Sequence, residues 1–257
     1  QVSVGSIENL ASIDQQGSDL WVAGSNETIL HSDDSGNSWQ VVNSNPGGKP
    51  AKEIQLVNSS TGYALFSDSL GGQMLKTTNG GLSWSLMAFF PNDKADYFAD
   101  FEFVDEYNGW MLGKDIANDT DYQFSTTDGG ISWQVMDSET NGASDYYDLF
   151  FLTPEIGWRS SLDMVFVTSD GGQTWINQLH NIMRTPMKLF FLDYINGWGV
   201  SKNKHFISGD PADITAITRT KDGGVSWYYQ KTTTGDFPKG LKDVEMANKN
   251  VGWAIGG

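Results

Sequence analysis

The sequence predicts an all-β fold, a β-propeller of four-stranded blades, and two observations predict it. One octet recurs five times, as SDDSGNSW, TTNGGLSW, TTDGGISW, TSDGGQTW and TKDGGVSW. A second motif keeps the same beat, as DLWVAG, TGYALF, NGWMLG, IGWRSS, NGWGVS and VGWAIG. The octet tryptophans Trp39, Trp84, Trp133, Trp175 and Trp227 lie 45, 49, 42 and 52 residues apart. A repeat of about 40 to 50 residues is the period of a propeller or an array.

Each unit divides in order into four strands. The first is a short apolar or alternating run such as DFEFVD, YDLFFLT, KLFFLD or KDVEMA. The second carries the aromatic residue of the second motif: Trp21, Tyr63, Trp110, Trp158, Trp198 or Trp253. The third, as in MVFVTSD, ends in the octet, and the fourth, as in SWYYQ, comes after it. Alternation with period two and β-branched or aromatic content are the marks of strands. A four-stranded sheet has two faces to cover. Stacking sheets around an axis lets each cover the next.

The octet then reads as the hairpin between the third and fourth strands. Its third position holds Asp34, Asn79, Asp128, Asp170 or Asp222, residues that accept backbone N–H bonds within their own turn. Its fifth holds Gly36, Gly81, Gly130, Gly172 or Gly224, which tolerate the positive φ of a tight turn. The tryptophan is expected to begin the fourth strand and fill the gap between sheets, burying roughly 200 Å².

These octets resemble the Asp-box, or BNR, repeat, written S/T-x-D-x-G-x-T/S-W. Octet and GW strand together resemble the photosystem II stability/assembly-factor-like family of exported bacterial propellers, from about residue 8 to 257. The resemblance implies the fold and the structural Asp-box role of the residues above. It does not imply one activity, because similar repeats occur in sialidases, xyloglucanases and sortilin-like receptors. Asn79 replaces Asp in the second box, and Tyr63 replaces Trp in the second GW strand.

Five units are complete, near 8–43, 53–88, 98–137, 146–180 and 187–231, and a partial sixth begins at Lys242. The expectation is a single propeller domain over 1–257, with QVSVGS as one closing strand. The missing third strand of the sixth unit implies a chain that continues past Gly257, giving six or seven blades.

Composition bounds the partners. The net charge is −16, which repels nucleic acid and anionic membrane surfaces. Residues 1–128 hold 5 Lys/Arg against 18 Asp/Glu, and residues 129–257 hold 11 against 14. No apolar run is long enough to insert into a membrane. There is no cysteine, which excludes disulfides and thiol catalysis. An acidic Asn/Ser/Thr/Gly-rich chain opening on Gln1 points to an exported protein, periplasmic, secreted or at the cell surface.

Enzymatic readings are weak in the sequence. A sialidase would need three converging arginines, and the chain has only Arg159, Arg184 and Arg219, with Arg219 beside a box and Arg184 between blades. A glycosidase needs two carboxylates about 5–10 Å apart, for which Asp96, Asp100, Asp145 and Asp148 are the candidates. DIANDTD offers oxygen ligands from Asp115, Asn118, Asp119 and Asp121 without the spacing of a calcium loop. No catalytic residue, cofactor or metal is expected. Function is expected on the top face, opposite the boxes, whose loops vary freely. The candidate binding residues there are Phe90, Tyr97, Tyr146, Tyr147, Lys202, Lys204, His205 and Phe206. The expected partner is a protein, bound by a non-enzymatic scaffold, with a glycan as the alternative.

Overall fold

The computed structural model describes residues 9–45, 48–87, 91–140, 146–161, 164–178, 188–201, 215–233 and 241–256. The architecture is a β-propeller of five four-stranded blades with a further two-stranded sheet. It divides into two compact units, residues 1–143 and 144–257. The suggested closing strand QVSVGS lies outside the described residues.

Unit 1 holds three blades. Blade 1 is β1 (Leu10–Gln16), β2 (Asp19–Gly24), β3 (Ile29–Ser32) and β4 (Gln40–Asn43); blade 2 is β5 (Ala51–Leu56), β6 (Gly62–Asp68), β7 (Gly71–Thr77) and β8 (Ser85–Leu86). Blade 3 is β9 (Tyr97–Phe103), β10 (Gly109–Asp115), β11 (Thr120–Thr126) and β12 (Gln134–Thr140). Unit 2 holds blade 4, with β13 (Tyr146–Phe151), β14 (Gly157–Ser161), β15 (Met164–Thr168) and β16 (Ile176–Gln178). Blade 5 comes next as β17 (Lys188–Phe191), β18 (Gly197–Ser201), β19 (Thr215–Thr220) and β20 (Tyr228–Thr233), and the last sheet is β21 (Leu241–Asn248) with β22 (Val251–Gly256). Every pairing is antiparallel between sequential strands.

The box is a closed hydrogen-bond network. In the third box the Thr126 hydroxyl donates to Asp128 Oδ1 at 2.7 Å and accepts from the Gly130 amide at 2.9 Å. Asp128 in turn accepts from the Ser132 amide at 2.9 Å and the Ser132 hydroxyl at 2.6 Å. Those bonds, from the Ser132 side chain first, hold the Asp128 carboxyl down at about 2. Asn79 keeps the geometry by reversing one bond: its Nδ2 donates to Ser83 Oγ at 2.9 Å. The fifth-position glycines all have positive φ, from 79° to 97°.

The glycine of each GW pair has a different task. Gly109, Gly157 and Gly197 lie opposite Phe103, Phe151 and Phe191 in the register of the first two strands. A Cβ on any of them would lie 2.5 Å from that ring. The phenylalanine therefore lies flat over a bare backbone. There it meets the GW aromatic of the preceding blade, as in the stacks of Tyr63 on Phe103 at 3.7 Å and Trp158 on Phe191 at 3.6 Å. The box tryptophan closes the group edge-on, Trp133 against Phe103 and Trp227 against Phe191, each at 6.0 Å.

This arrangement corrects the expected division of labour. The GW aromatics Trp21, Tyr63, Trp158 and Trp198 are the deeply buried rings, whereas Trp39, Trp84, Trp133 and Trp175 are half-buried. Of the box tryptophans only Trp227 is fully buried. The box indole seals the edge of the joint between blades, and the GW ring fills it.

Candidate interaction face

Polar residues on the first strands serve the stack. Asp14 Oδ2 accepts the Leu56 amide, and Ser12 Oγ accepts the Ile54 amide at 3.1 Å. Gln55 Oε1 accepts the Phe103 amide at 2.8 Å, and Asp148 Oδ2 the Leu189 amide at 2.6 Å. In each of these three cases a first strand offers a side-chain acceptor to the backbone of the next blade. A buried amide so satisfied avoids the cost of an unmade bond.

That role accounts for Asp148. Its carboxylate is 1% exposed and also takes Lys188 Nζ at 2.7 Å. Asp100 is buried as well, and Asp96 accepts the Ile116 amide at 3.0 Å. Asp145 lies outside the described residues. The two described arginines lie against aromatic rings. Arg159 is 2% exposed, with its guanidinium over the Phe166 and Trp175 rings, and Arg219 lies over Trp198. Arg184 lies outside the described residues.

The end of the blades where the first strands start is opposite the boxes. In unit 1 it is laced by short polar links. Tyr97 heads β9, and its hydroxyl receives Lys52 Nζ at 3.2 Å, with the ammonium 4.5 Å from the ring centroid. Lys52 is the second residue of β5, so the pair bridges two neighbouring first strands. Beside it Lys49 binds Asp68 at 2.5 Å, and this bond lowers the Asp68 carboxyl. Glu27, 7% exposed, accepts the Lys49 amide at 3.0 Å and Asn45 Nδ2 at 2.9 Å. On the next turn Lys114 pairs with Asp119 at 2.9 Å and Asp121 at 3.6 Å. Asp115 caps the Asn118 amide at 2.9 Å. The acidic loop thus spends its oxygens on its own turn, and among the described residues no cluster of three metal-ligating side chains forms.

Of the candidate binding residues, Tyr97 is placed in full. Tyr146 and Tyr147 open β13, and their side chains lie outside the described residues; so do Phe90, Lys202, Lys204, His205 and Phe206 altogether. Lys52 was not singled out from the sequence. Its signal is positional, a cation at the start of a first strand one repeat before Tyr97.

Residues 5–89 match the family model described as photosynthesis system II assembly factor YCF48. The match covers the first two blades. It is similar in structure to YCF48 from Cyanidioschyzon merolae, with TM-score 0.62 and 14% identity over 99% of this chain and 94% of that one. It is also similar to YCF48 bound to D1 peptide, with TM-score 0.66 and 17% identity over 100% of this chain and 77% of that one. The GH74 xyloglucanase from Xanthomonas campestris shares the fold at TM-score 0.64 and 13% identity, over 87% of this chain and 39% of that one. No curated protein matches in sequence.

Proposed function

We propose that this chain is an exported, non-enzymatic propeller that binds a polypeptide segment in an assembly role. The site is the end of the blades where the first strands begin. The observation that carries the reading is the likeness to YCF48 in both repeat and fold, one such structure holding a D1 peptide. Two features of this chain support it. The Lys52–Tyr97 pair holds an aromatic ring at the end opposite the boxes, and a positioned tyrosine is a common anchor for a protein partner. Of the carboxylates and arginines that an enzymatic reading needs, Asp148 is committed to the joint with blade 5, and Arg159 and Arg219 lie against aromatic rings of their own blades. Export agrees with the acidic, Asn/Ser/Thr/Gly-rich composition.

The test is selection of linear peptides from a display library on the folded chain, then calorimetry on the peptides selected. A selected peptide is expected to bind at least about tenfold more weakly to Tyr97→Ala, the loss of one interface hot spot, with the unfolding midpoint little changed. Peptides that bind Tyr97→Ala as well as the parent would overturn this placement. Failure to select any peptide, with a hit on a glycan array, would overturn the protein-binding reading itself.

A further inference from the structure

Two breaks in the repeat and a histidine converge on one joint, between blades 1 and 2. Leu56 stands where the later first strands carry Phe103, Phe151 and Phe191. His31 stands opposite Trp21, at a register position that varies from blade to blade as Lys76, Ser125, Val167 and Arg219. Asn79 is the one box residue at its position that is not Asp. A cleft of about 280 Å³ at this joint is lined by all three.

The neighbouring joint shows what the cleft lacks. There Lys76 lies over the Tyr63 ring at 4.9 Å, and its ammonium donates to the Gly129 carbonyl of the next box at 3.1 Å. Between blades 4 and 5 the equivalent carbonyl, of Gly223, is met by Trp158 Nε1 at 2.8 Å. The equivalent carbonyl in the cleft belongs to Gly80. Trp21 is turned with its six-membered ring toward the second box, since a Cβ on Gly81 would lie 2.4 to 2.7 Å from that ring. His31 stacks on Trp21 at 3.7 Å and gives its Nε2 to Asp19 Oδ1 at 2.8 Å. Among the described residues no side chain donates to the Gly80 carbonyl. The cleft walls carry one carboxylate, Asp19, which is 45% exposed, and no Lys or Arg.

We propose that this cleft binds a primary ammonium group on an aliphatic stem. The ammonium lies between the Asp19 carboxylate and the Gly80 carbonyl, in the place the Lys76 ammonium takes at the next joint. The stem lies along Leu56 and the edge of Trp21, in the space a phenylalanine ring fills elsewhere. The strongly acidic first half of the chain adds a long-range attraction for a cation, weakened by salt. The chemistry has two sources, a free alkylamine or a lysine side chain of another polypeptide. The site is separate from the Lys52–Tyr97 face and stands or falls apart from it.

The experiment is an NMR titration of the whole chain with n-pentylammonium, monitoring the Trp21 indole and the Gly80 and Gly81 amides. 1-Pentanol is the neutral control, and an acetylated Gly-Lys-Gly amide is the second ligand. Saturable shifts at these resonances with pentylammonium, and none with pentanol, are expected. Leu56→Phe fills the cleft with the side chain that three other blades use, and Asp19→Asn removes the charge at a half-exposed site. Each is expected to weaken binding at least about tenfold, one ion pair or one filled pocket. A tighter tripeptide assigns the source to a lysine side chain; equal or weaker binding assigns it to the free amine. Non-saturable shifts, equal binding of pentanol, or unchanged affinity in Leu56→Phe and Asp19→Asn would each overturn the proposal.

Discussion

Trp158 and Trp253 occupy the same place in the same motif, yet Trp158 is fully buried and Trp253 is 63% exposed. Both sit on the second strand of a sheet, opposite a residue of the first. Among the described residues, a sheet is stacked behind Trp158 and none behind Trp253. Behind Trp158 stands blade 5, whose Phe191 stacks on the indole and whose Gly223 accepts its N–H. Trp198 is an intermediate case. It is buried with Val244 and Met246 of the last sheet, but its N–H turns to Gln230 of its own blade at 3.0 Å. The ring of a blade is thus buried by the next sheet and not by its own strands, as expected where each repeat gains stability from its neighbour.

The largest effect that would sharpen this contrast is truncation of the two tryptophans. Trp158→Ala should cost about 3–5 kcal/mol by loss of a buried ring and the cavity left behind. Trp253→Ala should stay within about 0.5 kcal/mol, as at an ordinary surface site. Denaturant titration of both variants decides it, and equal losses would break the comparison. Next in size is Gly197→Ala. Its new methyl would meet Phe191 at 2.5 Å, pushing that ring off Trp158, and overpacking of this kind costs about 1–3 kcal/mol. A silent Gly197→Ala would mean that the flat ring does not need the bare backbone.

The smallest effect is electrostatic. Asp128 is held at about 2, chiefly by its bonds from Ser132, against about 3.9 for an unfolded aspartate. A depressed carboxyl stabilises the fold above its unfolded value, and that contribution is lost as pH falls toward 2. Unfolding midpoints measured from about pH 5 to 2 should fall less steeply for Asp128→Asn than for the parent. The second box already carries the neutral side chain at Asn79 and adds no such slope. Parallel curves for parent and variant would show that the box bonds are equally strong to a neutral group.

Much of the fold was legible in sequence because the repeat reports on backbone needs. The positive-φ glycines, the capping hydroxyl and carboxylate, and the strand alternation all arise from local chemistry. The glycine of GW was legible as a letter but not as a reason, because its partner is a phenylalanine on the preceding strand. The acceptor roles of Asp14, Gln55 and Asp148 were hidden for a similar reason. Each bonds a backbone amide more than 40 residues away, and periodicity says only that such positions are polar. The candidate face was legible only in part. Tyr97 stands out as an aromatic in a loop region, whereas Lys52 acquires meaning only once two first strands lie side by side.

The reach of these joints along the chain has a consequence during synthesis. Trp158 waits 65 residues for the carbonyl of Gly223, and Tyr63 waits 66 for that of Gly129. At the usual pace of translation this is about 3–13 seconds in which a large aromatic surface has been made and its cover has not. The nascent chain therefore always trails one unfinished blade, a moving sticky end that travels with the ribosome and is the stretch most open to capture by chaperones or by a neighbouring nascent chain.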